Sequence, residues 1–139
     1  TVLDDVVIGD YAKFHIEERK GDLFGGYAVV VDTFVSDRVL QKITEFNEKT
    51  RMNATAKKPF KPIEVSDDGL ELIEYLSLDC SNTQGEWHSD SEIKIDKNGY
   101  VIRNGEKTKE FWDGTIYGEK KPLRLKIRNI CGDETEWGI

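Results

Sequence analysis

From residue 91 to residue 130 the chain repeats one pattern, a short run of alternating apolar and polar residues followed by a turn built on glycine. The runs include "SEIKID", "YVIR" and "LRLKIRNI", and the turns include "KNG", "NGE" and "DGT". Alternation with period two sorts side chains onto the two faces of a strand, and Asn-Gly or Asp-Gly pairs supply the positive φ that tight hairpin turns require. The pattern predicts consecutive hairpins from about residue 85, with an aromatic strand around Phe111 and Trp112. In the last strand Leu123, Leu125 and Ile127 are expected to face inward and Arg124, Lys126 and Arg128 outward, before an acidic end, "GDETEWGI".

The first third reads as strand too. "DDVVIG" is a first candidate, "YAKFHIEER" alternates Ala12, Phe14 and Ile16 with polar neighbours, and "YAVVVDTF" has the continuous apolar run of a strand covered on both faces. "GDLFGG" between them has turn chemistry and precedes a strand, so it lacks the helix that a phosphate-binding loop needs. Ser36 then caps a helix running to about Thr50, with Asp37 in the first turn, where the helix dipole favours it, and Val39, Leu40, Ile43 and Phe46 as its apolar stripe. "RMNATAKKPFKP" carries four basic residues, two prolines and no periodicity, which predicts an extended exposed loop over 51–62. After it Ser66 is a possible helix cap, but Leu70, Leu72, Leu76 and Leu78 alternate, and strand is the reading preferred for 70–79.

These elements predict a mostly β, α+β single domain over 1–139, with one main helix packed on antiparallel sheets. A jelly roll or double-stranded β-helix is expected, with an oligonucleotide-binding (OB-like) barrel as the alternative. The net charge of −7 repels phosphate and disfavours non-specific binding to duplex DNA or an anionic membrane. No apolar run approaches 18 residues and no leader pattern is visible, so the expectation is a cytoplasmic protein that does not span a membrane. Cys80 and Cys131 form no CxxC pair and are expected to be buried free thiols in preference to a disulfide. The sequon at Asn53 carries no weight without a secretory context.

"GEWHSDSEIK" holds one of the chain's two histidines two residues before an aspartate. In a strand, side chains two apart share a face with Cα atoms about 6.6 Å apart, so His88 and Asp90 could converge on one metal ion. A histidine and a carboxylate are two of the three ligands of the non-haem Fe(II) facial triad. In a chain with 27 acidic residues the spacing is also common by chance, and the competing reading is a surface histidine bonded to a neighbouring carboxylate.

Around that motif, "VVVDTFVSDRVLQKITEFNEKT" at 29–50 resembles the entry to prolyl-4-hydroxylase-like 2-oxoglutarate/Fe(II) dioxygenases, where a strand leads into a capped helix. "IEYLSLDCSNTQGEWHSDSE" is similar to that family's strand, turn and His-x-Asp, and "KKPLRLKIRNICGDETEWGI" to the strand that follows. The resemblance implies a double-stranded β-helix with His88 and Asp90 as iron ligands and 2-oxoglutarate as cosubstrate. The family's distal histidine has no counterpart after His88, and His15 is the remaining histidine to complete the metal set.

Other constellations compete. Asp79, Glu92 and Lys94 have the order of a PD-(D/E)xK nuclease, although Glu-x-Lys recurs at Glu119 to Lys121. Lys120, Lys121, Arg124, Lys126 and Arg128 make a basic stripe near Phe111, Trp112 and Tyr117, which in an OB-like barrel would bind single-stranded nucleic acid. Alternating cations also simply solvate a strand's outer face. Last, small acidic α+β proteins serve as inhibitor- or immunity-type modules that bind other proteins, and a protein or small-molecule partner is the expectation under that reading.

Overall fold

The protein is described from a computed structural model that covers residues 10–19 and 26–139, and "DDVVIG" and nearly all of "GDLFGG" lie outside the described residues. Two antiparallel sheets enclose one apolar core. The smaller is ordered β1 (Tyr11–Glu18), β2 (Tyr27–Val35), β7 (Thr115–Gly118). The larger runs β6 (Glu106–Phe111), β5 (Tyr100–Arg103), β4 (Ser91–Ile95), β3 (Ile73–Asp79), β8 (Arg124–Asn129), β9 (Glu134–Gly138). Among the described residues the architecture is mostly β with one α-helix, α1 (Asp37–Met52), in keeping with the turn-punctuated sequence.

Strands β3 to β6 follow one another across one sheet as a meander. β7 leaves for the small sheet, and β8 returns beside β3. A jelly roll would instead send successive strands to alternate sheets, and an OB-like barrel would close; this order does neither. Local turn chemistry explains the meander. At β5–β6, Asn104 (φ 49°) and Gly105 (φ 86°) both take positive φ, the paired conformation of a two-residue hairpin turn. Val29, Val31, Phe34 and Ile116 of the small sheet meet Leu76, Leu78, Ile93, Val101, Leu125 and Ile127 of the large one, all buried. At about 25 cal/mol per Å² of apolar surface removed from water, such side chains supply most of the driving force for closing the sandwich.

Residues 70–79 divide. Leu70–Leu72 form one 3₁₀ turn and only Ile73–Asp79 is strand. Gly69 accounts for the break: it sits at φ 69°, and a Cβ there would lie 2.1 Å from the Phe34 carbonyl oxygen, so the chain pivots where only glycine fits. Strand β9 was not anticipated, because "GDETEWGI" reads as an acidic tail. Asn129 creates it: buried at the end of β8, its Oδ1 accepts from the Cys131 and Asp133 amides, and its Nδ2 donates to Asp10, Asp133 and the Ser36 hydroxyl. One amide group therefore sets the β8–β9 turn and ties it to the start of α1.

The helix begins as predicted, with the Ser36 Oγ accepting from the Val39 amide at 3.3 Å, and runs two residues further than expected. It is attached to the core chiefly at that end. Val39 is its one buried residue, while Leu40 and Ile43 are partly buried against the core. Beyond them Asn47 grips the returning chain: its Nδ2 donates to the Ile63 carbonyl (3.0 Å) and its Oδ1 accepts from the Ile63 amide (2.8 Å). The predicted extended loop is thus an exposed strap laid along the outer half of α1.

Candidate functional site

The segment leaving β3 is organised by two aspartates. Asp79 is fully buried; its Oδ1 accepts from the Ser81 and Asn82 amides (both 2.8 Å), and its Oδ2 from the His88 amide (2.9 Å) and Arg124 Nη2 (2.8 Å). Burial pushes this carboxyl's pKa up, but the three amides and the guanidinium outweigh it and hold the group well below the usual carboxylate range. Arg124 spends its remaining donors on the same loop, from Nε to the Asn82 carbonyl and from the terminal nitrogens to the Gly85 and Glu86 carbonyls. Arg124 is on the sheet face predicted for it, yet it is buried, because residues 82–87 fold over it.

His88 and Asp90 are neighbours, as the spacing suggested. His88 Nδ1 lies 3.0 Å from Asp90 Oδ1. Asp90 Oδ2 also accepts from the Cys80 amide (2.6 Å) and the Ser81 hydroxyl (3.0 Å). Burial raises the Asp90 carboxyl, and these donors together with His88 bring it below its ordinary value. Ser81 Oγ, His88 and Asp90 resemble a nucleophile, base and orienting acid, but Ser81 and Asp90 both address the same ring nitrogen, Nδ1. A relay needs the acid and the nucleophile on opposite nitrogens, so this cluster holds a loop and does not activate the serine. Burial, then the charges of Asp90 and Asp79, push the Cys80 thiol up to about 11, away from the thiolate form. Both cysteines are free, but Cys80 is only half-buried and Cys131 is exposed, where burial was expected.

His15 lies elsewhere, on β1 of the small sheet. Its Nδ1 is 2.8 Å from Asp32 and its Nε2 is 3.0 Å from Glu17, so the ring bridges two carboxylates from opposite sides. Both nitrogens must carry protons to satisfy both acids, and the Asp32 and then the Glu17 hydrogen bond raise the pKa of this exposed imidazole. Among the described residues no three His, Cys, Asp or Glu side chains are grouped so as to hold a metal ion. The structure thus places His88 and Asp90 side by side but does not bring His15 to them, since His15 lies on another sheet against Asp32 and Glu17. The nuclease trio is likewise engaged, since Asp79 has four donors and Glu92 accepts from the Tyr75 hydroxyl at 2.7 Å.

The basic stripe is divided in the same way. Arg128 pairs with Glu74 (3.2 Å) and Glu134 (3.5 Å) and lies 4.6 Å from the Tyr75 ring centroid. Arg124 and Lys126 lie over the Trp87 ring at 4.8 and 4.4 Å. The faces of Trp87, Tyr75 and Tyr117 are covered by the chain's own cations, whereas Phe111 is 71 % exposed and packs against Tyr100, and Lys120 and Lys121 remain exposed at the margin. Between the sheets a cleft of about 460 Å³ opens beside Tyr117, but its rim sets Arg103 and Lys107 against Glu106 and Glu110 and so offers no single sign of charge.

A different region was missed as a site. On α1 and the strap, Phe46 is 50 % exposed, Met52 77 %, Phe60 37 % and Ile63 47 %, four of the ten large apolar side chains exposed among the described residues. The other six are spread over β1, the end of β2, β6, the β8–β9 turn and the last residue. Residues 49–62 also hold Lys49, Arg51, Lys57, Lys58 and Lys61 with no acidic residue, in a chain of net charge −7. Arg51 pairs with Glu48, whereas none of the four lysines has an ion pair to a described residue. The signal was present as "KKPFKP", but a basic, proline-rich stretch reads equally as a solvated loop.

No family model matches the chain, and no curated protein or solved structure is significantly similar to it.

Proposed function

We propose that this protein is a non-enzymatic binding module that works through the outer half of α1 and its strap. The observation that carries the reading is that four of the ten large apolar side chains exposed among the described residues, Phe46, Met52, Phe60 and Ile63, fall within residues 46–63. They lie on one arm made of the outer half of α1 and the strap that Asn47 ties to it at Ile63. Leaving four large apolar side chains exposed forgoes the stabilisation that their burial would give, and grouped exposed apolar residues mark interaction sites more often than scattered single ones do. The helix is straightforward to present: Ser36 caps it and Asn47 fixes the strap, so the apolar side chains are displayed on a pre-ordered frame.

A 2-oxoglutarate/Fe(II) oxygenase remains what the resemblance implies, but it needs a ligand set that His88, Asp90 and His15 do not provide together. Protein recognition by the arm, the inhibitor- or immunity-type reading, asks nothing further of those residues. Selection of a displayed random-peptide library against the folded protein tests it. Recovered peptides should lose binding to a Phe46→Ala/Phe60→Ala variant whose circular dichroism is unchanged; peptides that bind the variant equally well, or the absence of any binder, would overturn the reading.

A further inference from the structure

We infer that the arm's partner is a polypeptide segment that presents acidic side chains around an apolar centre. This rests on the arm being the binding surface and goes on to name what it binds. Phe60 follows Pro59 in a stretch where Lys57, Lys58 and Lys61 flank it along the chain, so exposed charge and an exposed apolar side chain share one short segment. Lys57, Lys58 and Lys61 have no ion pair to a described residue, and a partner carboxylate need not displace an internal one. Elsewhere the chain does the opposite, neutralising Arg124 and Arg128 with its own Asp79, Glu74 and Glu134.

The extent of the positive field selects among anions. The arm is a local cationic spot on a molecule of net charge −7. A bilayer carrying anionic lipid is an extended plane, and a nucleic acid is a long line of phosphates; either extends past a short cationic segment and brings further negative charge towards the acidic remainder of the chain, with repulsion acting over about 8 Å, the physiological screening length. A short acidic segment confines its charge to the arm. It also offers apolar side chains to Phe46, Met52 and Phe60, which a phosphate backbone does not. Complementary charge then steers encounter and the apolar centre slows dissociation.

Fluorescence anisotropy of a short labelled peptide alternating Glu and Leu tests this at low ionic strength with the full chain. Association should be detectable, weaken as salt is raised, fall about tenfold or more in Lys57→Glu/Lys58→Glu/Lys61→Glu, and fall severalfold in Phe60→Ala. The same peptide with Lys in place of Glu should not bind. Failure of the acidic peptide to bind, equal binding of the Lys peptide, or tighter binding to phosphatidylserine vesicles or to oligothymidylate would overturn the inference. Library peptides that depend on Phe46 and Phe60 but carry no acidic residues would overturn it while leaving the arm as the binding surface; peptides indifferent to the arm would remove both.

Discussion

Two regions of this molecule are rich in cations, and they use them in opposite ways. On β8, Arg124 is buried against Asp79 and three loop carbonyls, and Arg128 is bracketed by Glu74 and Glu134. On the strap, Lys57, Lys58 and Lys61 stand exposed with no such partners among the described residues. The first arrangement converts charge into structure, because a guanidinium out of water must be matched by acceptors in fixed places. The second leaves charge available, since exposed ammonium groups stay solvated and add little to stability. A basic residue's chemistry thus predicts its role less well than its distance from the chain's own carboxylates.

The sharpest way to break the comparison is Asp79→Ala. It strands the buried Arg124 and uncaps the Ser81, Asn82 and His88 amides, so the variant should lose about 3–5 kcal/mol of unfolding free energy in urea titrations. A loss no larger than that of a surface substitution would mean the loop is not organised by this carboxylate. The double variant Asp79→Ala/Arg124→Met should recover part of the loss, because it removes the stranded charge. The same pair carries a pH signature. The folded Asp79 carboxyl titrates below its unfolded value of about 3.9, so between the two the unfolded chain binds more protons. Its stabilisation is full above the unfolded value and lost as pH falls below it, and Asp79→Ala should flatten the acid limb of the stability profile.

Asn47→Ala is intermediate. It deletes two hydrogen bonds at a partly exposed site, and about 1 kcal/mol is expected. The more telling readout is local: amide exchange at Ile63 should quicken while that of Leu76 and Ile127 in the core is unchanged. If Ile63 exchanges as slowly as before, the strap is held by something other than Asn47.

The smallest effect is expected for Lys57→Glu/Lys58→Glu/Lys61→Glu, within about 0.5 kcal/mol of the parent. A loss of several kcal/mol would show that these lysines serve the fold, and the contrast between the two cationic regions would dissolve.

Much of the fold was legible because its signals are local. Ser36, Asp37 and the Val39, Leu40, Ile43, Phe46 stripe specify α1 within a few turns of chain, and Asn104-Gly105 specifies a hairpin within two residues. Two elements were misread where a local signal depends on a distant group. Leu70 to Leu78 alternate throughout, but Gly69 must clear the Phe34 carbonyl, and that contact ends the strand pattern at Ile73. "GDETEWGI" lacks an Asn-Gly turn, and it becomes β9 because Asn129 gathers Asp133, Ser36 and Asp10 around one amide.

The candidate site divides along the same line. The sequence by itself determined that His88 and Asp90 could meet, that a cationic strand lies near the end, and that a basic extended loop follows α1, though it begins after Met52 and not at residue 51, because each follows from spacing over a few residues. Only the tertiary structure decided which charges are consumed. Arg124 meets Asp79 across 45 positions and Arg128 meets Glu74 across 54, whereas the strap lysines meet no carboxylate of the described residues. Pairing energy depends on separation in space and on burial, and neither is encoded in separation along the chain.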